Sequence, residues 1–167
     1  ALAGRSQGTV AVVSGRSLAQ LDMMLHPLHL ALAGVHGIER RGADGAIHKA
    51  AFDGEEFAKC VAEVEGFSRL HEGTLAEVKP GSVALHYRNR PELEAQCLGM
   101  VEALARSVPG TRLLRGKMVI ELTFAPATKG TAIKQFMDEA PFIGRTPFFA
   151  GDDVTDEAGF AVVNALG

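Results

Sequence analysis

The sequence predicts an α/β fold, with a parallel-sheet core from residues 1–49 and 126–167 and an α+β module inserted at residues 50–125. Three observations predict it. Short apolar, β-branched runs alternate with helical patterns at both ends of the chain. The middle instead runs helix, hairpin, helix, hairpin. Finally, the string Gly151-Asp152-Asp153-Val154-Thr155-Asp156-Glu157 follows a short apolar run, at the strand edge where open α/β sheets carry ligand sites.

Residues 9–13 (TVAVV) read as a buried parallel strand. Ser17 and Gln20 have the spacing of a capping box, and Leu18, Leu21 and Leu25 follow at helical spacing until Pro27. Residues 30–33 form a second buried strand. Residues 38–41 and 46–49 pair as a hairpin around Gly42-Ala43-Asp44-Gly45. In the insert, Asp53 and Glu56 open a helix whose face carries Phe57, Val61 and Val64. Residues 76–78 and 83–88 form a hairpin through Lys79-Pro80-Gly81, with Val83, Leu85 and Tyr87 alternating with Ala84, His86 and Arg88. Pro91 starts a helix with Leu93, Cys97, Met100, Val101 and Leu104 along its buried stripe. Residues 111–115 and 117–124 are strands around Gly116. Thr128 caps a helix carrying Ala132, Ile133, Phe136 and Met137, which Pro141 closes. Residues 146–150 then form the strand that leads into the acid cluster.

Composition narrows the function. The 167 residues are 47% hydrophobic, enough to bury a core, and carry a net charge of −3 without a basic stripe, which argues against nucleic acid. Two cysteines, Cys60 and Cys97, do not make a disulfide framework; they fit a reducing cytoplasm and read as packing residues. The longest apolar candidate, residues 18–38, is broken by Asp22, Pro27 and three histidines, so no membrane span is expected. No secretory signal is expected at the amino terminus, and a first residue of Ala1 hints at processing or a partial sequence.

Adjacent acids at a strand end repel each other unless a hard cation sits among their oxygens. Mg²⁺ takes carboxylates and water and commonly works with a substrate phosphate. Helix N-termini also favour acids, which accounts for Asp156 and Glu157 but not for Asp152 and Asp153. Ser14-Gly15-Arg16 ends a strand and opens a helix. It suits a phosphate oxygen, or equally an ordinary strand-to-helix turn. Lys129 in a first helical turn is opposed by the helix dipole, and a bound anion would remove that conflict; a solvated lysine is the alternative. His86 with Arg88, and Lys117 with Glu121, share strand faces, and His36 and Glu39 follow a core strand. Each of these alone also fits plain solvent exposure. The remaining histidines show no metal-ligand spacing.

Val13-Ser14-Gly15-Arg16, Lys129-Gly130 and Gly151-Asp152-Asp153 occur in the order of motifs two, three and four of haloacid-dehalogenase-type phosphatases. The chain resembles one subfamily, the trehalose-6-phosphate phosphatases, in Leu32-Ala33-Gly34-Val35-His36-Gly37-Ile38-Glu39, Leu85-His86-Tyr87-Arg88, Gly116-Lys117-Met118-Val119-Ile120-Glu121 and Gly144-Arg145-Thr146-Pro147. The resemblance implies a Rossmann-like core, a cap that closes over a sugar phosphate, and Mg²⁺-dependent hydrolysis of trehalose 6-phosphate in trehalose biosynthesis. It also implies roles by residue. Ser14 and Lys129 bind the transferring phosphoryl group. Asp152 coordinates the metal, with Asp153 and Asp156 as further ligands or support. Arg16, His36, Glu39, Arg88, Lys117 and Glu121 contact the sugar or its phosphate.

The chain departs from this family in one respect. The family's nucleophile lies in an Asp-x-Asp string on the first core strand, and this sequence contains no Asp-x-Asp. Residues 1–8 then read as the tail of the element before motif two, and the carboxyl end stops early. The expectation is an incomplete core: a phosphatase fragment without turnover, with an exposed sheet edge. Two other readings stay open. One is a phosphatase of another sugar phosphate, such as sucrose phosphate or mannosyl phosphoglycerate. The other is a non-catalytic module that senses a sugar phosphate or partners a trehalose-6-phosphate synthase.

Overall fold

The computed structural model describes residues 8–167. The expected tail at residues 1–8 therefore lies outside the described residues up to residue 7. Two compact units emerge, one from residues up to Ala50 together with Ala127–Gly167, the other Ala51–Pro126.

The first unit carries β1 (Ala11–Val13), α1 (Leu18–Leu25), β2 (Ala31–Gly34), a 3₁₀ turn (Val35–Gly37), β3 (Glu39–Arg41) and β4 (Ile47–Lys49). After the insert come α4 (Lys129–Met137), a 3₁₀ turn (Val154–Asp156) and α5 (Glu157–Leu166). Its sheet runs β1-β2-β3-β4 and is mixed. β1 and β2 are parallel, whereas β2–β3 and β3–β4 are antiparallel. Among the described residues the sheet ends on β1, and the cleft alongside, about 670 Å³, is lined by Val13, Ile133, Phe136, Phe142 and Phe149 among others.

α1 begins where the capping box was expected: Ser17 accepts from Gln20 N, and the Gln20 side chain accepts from Ser17 N. Leu18 and Leu21 bury its inner face against Leu32. Across the sheet, Ala31 and Ala33 pack on Ala132, Phe136 and Phe142. Arg40, 5% exposed, locks this layer with a two-pronged bond to Glu139, at 2.7 and 2.6 Å, and lies over the Phe136 ring.

The second unit contains α2 (Gly54–Leu70), β5 (Leu75–Lys79), β6 (Ser82–His86), a 3₁₀ turn (Pro91–Leu93), α3 (Glu94–Ser107), β7 (Arg112–Gly116) and β8 (Val119–Thr123). Its antiparallel sheet runs β5-β6-β8-β7. Val83, Leu85, Ile120 and Leu122 face Cys60, Val64, Cys97 and Val101 of the two helices. Both cysteines are free and buried, and burial pushes both thiols up, which makes them poor nucleophiles and good packing groups.

Three expectations need correction. Residues 146–150 enter no ladder among the described residues, and Phe148 there is 93% exposed. A strand is defined by its partner, and the apolar run finds none among the described residues. Arg88 lies in a turn beyond the end of β6, so it shares no strand face with His86. Lys117 occupies the two-residue turn between β7 and β8, where Met118 takes a φ of 62°. The supposed strand face shared by Lys117 and Glu121 therefore does not exist. The register fixes this, since Gly116 pairs with Val119 and leaves only two residues to turn.

Gly130 marks where α4 and α5 touch: a Cβ there would stand 2.3 Å from the Ala158 carbonyl oxygen. Helix propensity alone favours Gly→Ala by about 1 kcal/mol. The backbone clash reverses that sign, and Gly130→Ala should lower unfolding free energy by about 1–3 kcal/mol in denaturant titrations.

Candidate active site

The site grows from two strand ends and two helix starts of the first unit. At the end of β1, Ser14 N donates to Ala33 O at 2.8 Å and Arg16 N donates to Ser14 Oγ at 3.2 Å, closing a small turn. The end of β2 leans into that turn. Val35 N bonds Arg16 O and His36 N bonds Ser14 O, both at 2.9 Å. These bonds hold two consecutive non-glycine residues at positive φ, 46° for Val35 and 56° for His36. A β-branched residue in that region costs about 1–3 kcal/mol and persists only when its surroundings impose it. The strain aims the buried His36 ring at the first turn: a Cβ on Gly15 would meet the imidazole at 2.8 Å.

The next residue carries the path onward. Gly37, at a φ of 107°, lies so close to α4 that a Cβ would stand 2.8 Å from Thr128 O. Thr128 caps α4, accepting from Thr131 N through its side chain. Lys129, the first helical residue, is 7% exposed, and its Nζ lies 2.7 Å from Asp156 Oδ1. The second Asp156 oxygen accepts from Asp153 N at 2.9 Å, and Gly151 packs flat against the same carboxylate. Residues up to 91 positions apart in sequence thus form one contact path, Gly15–His36, Gly37–Thr128, Lys129–Asp156, Asp156–Asp153.

Asp156 is 4% exposed. Burial by itself raises its pKa, but the Lys129 ammonium and the Asp153 and Asp152 amides outweigh it and hold the carboxyl below the ordinary value of 3.8. The anion that relieves Lys129 of its dipole conflict is thus a carboxylate of the same chain. Residue spacing did not signal this pairing; the Asp153-Val154-Thr155-Asp156 spacing signals only the local capping box, which the structure forms.

The acids divide their work. Asp153 Oδ1 accepts from Val154 N at 2.7 Å and its Oδ2 from Thr155 Oγ1 at 3.2 Å. Asp152 is exposed, and its carboxylate makes no hydrogen bond or ion pair among the described residues. No group of three or more His, Cys, Asp or Glu side chains converges on one point among the described residues. Mg²⁺ does not need such a cage, since it binds through one or two carboxylates, waters and substrate phosphate, and the exposed Asp152–Asp153 pair has that chemistry.

Glu39 is 6% exposed, and its Oε2 accepts from Leu18 N at 3.2 Å. Leu18 opens α1, so its amide has no partner within the helix. Glu39 thereby pins the helix that follows Ser14-Gly15-Arg16, a function that residue spacing did not reveal. Arg16 is exposed at the same turn. Arg88, Lys117 and Glu121 belong to the other unit; the first two are exposed turn residues, while Glu121 is 8% exposed and accepts from Ser82 Oγ.

Asp156→Asn should cost about 3–5 kcal/mol, because it leaves a buried ammonium without its counter-charge. A carboxyl depressed in the fold stabilises fully above its ordinary range and loses that contribution as pH falls through the folded value. The gap between parent and variant should therefore be constant at pH 6 and shrink below about pH 4 in urea titrations. Glu39→Ala should destabilise by about 1 kcal/mol or more and speed hydrogen exchange at Leu18, whereas Glu39→Gln keeps an acceptor and should retain most of the protection.

The chain matches the trehalose-phosphatase family model over residues 1–166. It is similar to the trehalose-6-phosphate phosphatase of Escherichia coli K12, with 42% identity over 166 residues, covering 99% of this chain and 62% of that protein. It is 36% identical to a bifunctional trehalose-6-phosphate synthase/phosphatase of Thermoproteus tenax, covering 96% of this chain and 22% of that one. Its fold superposes on the C-terminal domain of the Candida albicans trehalose-6-phosphate phosphatase with a TM-score of 0.83 at 22% identity, covering 98% of this chain and 62% of that domain. With its strand-end serine turn, buried helix-start lysine and acidic loop joined in one place, this chain belongs to the trehalose-phosphatase family.

Proposed function

We propose that this chain carries the phosphate-binding and sugar-recognition parts of a haloacid-dehalogenase-type trehalose-6-phosphate phosphatase. Such an enzyme hydrolyses trehalose 6-phosphate to trehalose and phosphate. The observation that carries the proposal is the buried Lys129 ammonium at the start of α4, tied by the 2.7 Å Asp156 bond to the acidic loop and by Gly37–Thr128 packing to the Ser14 turn.

In this reading the Ser14 hydroxyl donates to one phosphoryl oxygen, and the Lys129 ammonium lies against another. Asp156 pairs with the Lys129 Nζ at 2.7 Å and holds it in place. Asp152, with Asp153 alongside, would hold Mg²⁺, which would supply neutralisation of phosphoryl charge. Arg16, His36, Arg88, Lys117 and Glu121 supply donors and acceptors for the sugar and its phosphate. Glu39 supports the turn through Leu18 and contacts the sugar or its phosphate as well. A reducing, cytoplasmic location fits the two buried thiols. Association with a trehalose-6-phosphate synthase draws support from the bifunctional relative. No helix among the described residues is long and apolar enough to cross a membrane.

The 167 residues contain no Asp-x-Asp string. The aspartyl-phosphate step is therefore assigned to a longer chain, and the sequence as it stands should show no turnover. The same observation favours a second reading, a non-catalytic module that binds a sugar phosphate.

Phosphate release from trehalose 6-phosphate separates the two. The longest natural chain containing this sequence should release phosphate only with Mg²⁺, and the 167 residues alone should release none. Ser14→Ala and Lys129→Met should each lower kcat of the longer chain by about 10²–10³-fold. Tight binding of trehalose 6-phosphate by the longer chain without any release would establish the binding module instead. Faster release from sucrose phosphate would move the substrate assignment.

A further inference from the structure

The second sheet has one face on its helices and one polar face, and the polar face carries a cluster that the reading above uses only in part. The register sets Glu77, Ala84 and Glu121 in one cross-strand row and Lys79, Ser82 and Thr123 in the next. In these two rows the middle strand contributes small, fully buried side chains, Ser82 and Ala84. The long side chains of the flanking strands β5 and β8 therefore meet above them. Lys79 Nζ stands 3.5 Å from Glu77 Oε2 and 3.6 Å from Glu121 Oε2. Ser82 Oγ donates to Glu121 Oε1. His86 Nε2 lies 2.8 Å from Glu77 Oε2.

Both oxygens of Glu121 are thus engaged from below, one by a hydroxyl and the other by an ammonium. The Lys79 and Glu121 side chains are only 12% and 10% exposed, so the charge between them is weakly screened. Glu77 and Glu121 lie two strands apart, about 10 Å between backbones, and the ammonium between them offsets their repulsion. A carboxylate held this way has lost its rotational freedom before any ligand arrives, which removes that cost from binding.

We propose that Lys79 and Ser82 are positioning residues for hydroxyl recognition, holding the Glu121 carboxylate in the single orientation in which it accepts from a sugar phosphate. The proposal rests on the reading of Glu121 as a sugar contact. Lys79 acts through Glu121, and Glu77 with His86 holds the far side of Lys79.

The test is calorimetric binding of trehalose 6-phosphate to the longest natural chain containing this sequence. Lys79→Met and Ser82→Ala should each weaken binding about tenfold, and Lys79→Arg should recover most of the loss. In a Glu121→Gln background, Lys79→Met should cost nothing further, because the group it positions is gone. An equal Lys79→Met loss with and without Glu121 overturns the positioning role. So does parent-like binding by both Lys79→Met and Ser82→Ala when Glu121→Gln is impaired, and in that case Glu121 remains a sugar contact. Parent-like binding by Glu121→Gln removes the sugar reading of Glu121 and the proposal with it. Thermal melts accompany each variant, and Ser82→Ala, which only deletes a hydroxyl, decides the matter if Lys79→Met does not fold.

Discussion

A single buried ion pair organises the first unit. Lys129 sits where a helix dipole opposes a cation, and it is buried there; either condition alone would disfavour the ammonium. Asp156 makes the position tenable from 2.7 Å, and it does so with a carboxylate whose other oxygen is spent on the Asp153 amide. The bond therefore joins two chain segments rather than two side chains. It sets the start of α4 against the loop that ends in α5, and the Gly130–Ala158 contact lets those helices come close enough to make it.

The neighbouring turn relies on a different constraint. Val35 and His36 hold backbone conformations that they would not adopt alone, and the bonds to Arg16 O and Ser14 O keep them there. That local cost places the imidazole over Gly15 and Gly37 under Thr128. Strain at the end of β2 and charge at the start of α4 are thus linked through the Gly37–Thr128 contact. The second unit repeats the theme with side chains alone. Small residues in its middle strand bring Lys79, Glu77 and Glu121 together on a face that apolar packing leaves unclaimed.

Much of this was legible in the residues. The capping box at Ser17 and the caps at Thr128 and Asp53 were readable because they depend on neighbours three or fewer residues away. The hairpins around Gly42-Ala43-Asp44-Gly45 and Pro80-Gly81 were readable for the same reason. The errors have one source. Residues 146–150 have the composition of a strand but find no ladder partner among the described residues, and partner strands are not encoded in local composition. Lys117 and Arg88 were assigned to strands because alternation continues past the point where pairing stops.

The sequence by itself determined the family, the order of the phosphate-associated motifs and the starts of the helices, because caps, turns and short motifs are local chemistry. Only the tertiary structure decided which charges meet. The Lys129 ammonium found Asp156 across 27 residues, Glu39 found Leu18 across 21, and Ser82 found Glu121 across 39. The physical reason is that a hydrogen bond or ion pair depends on distance in space. Over such separations, distance is set by how sheets and helices pack, not by spacing along the chain.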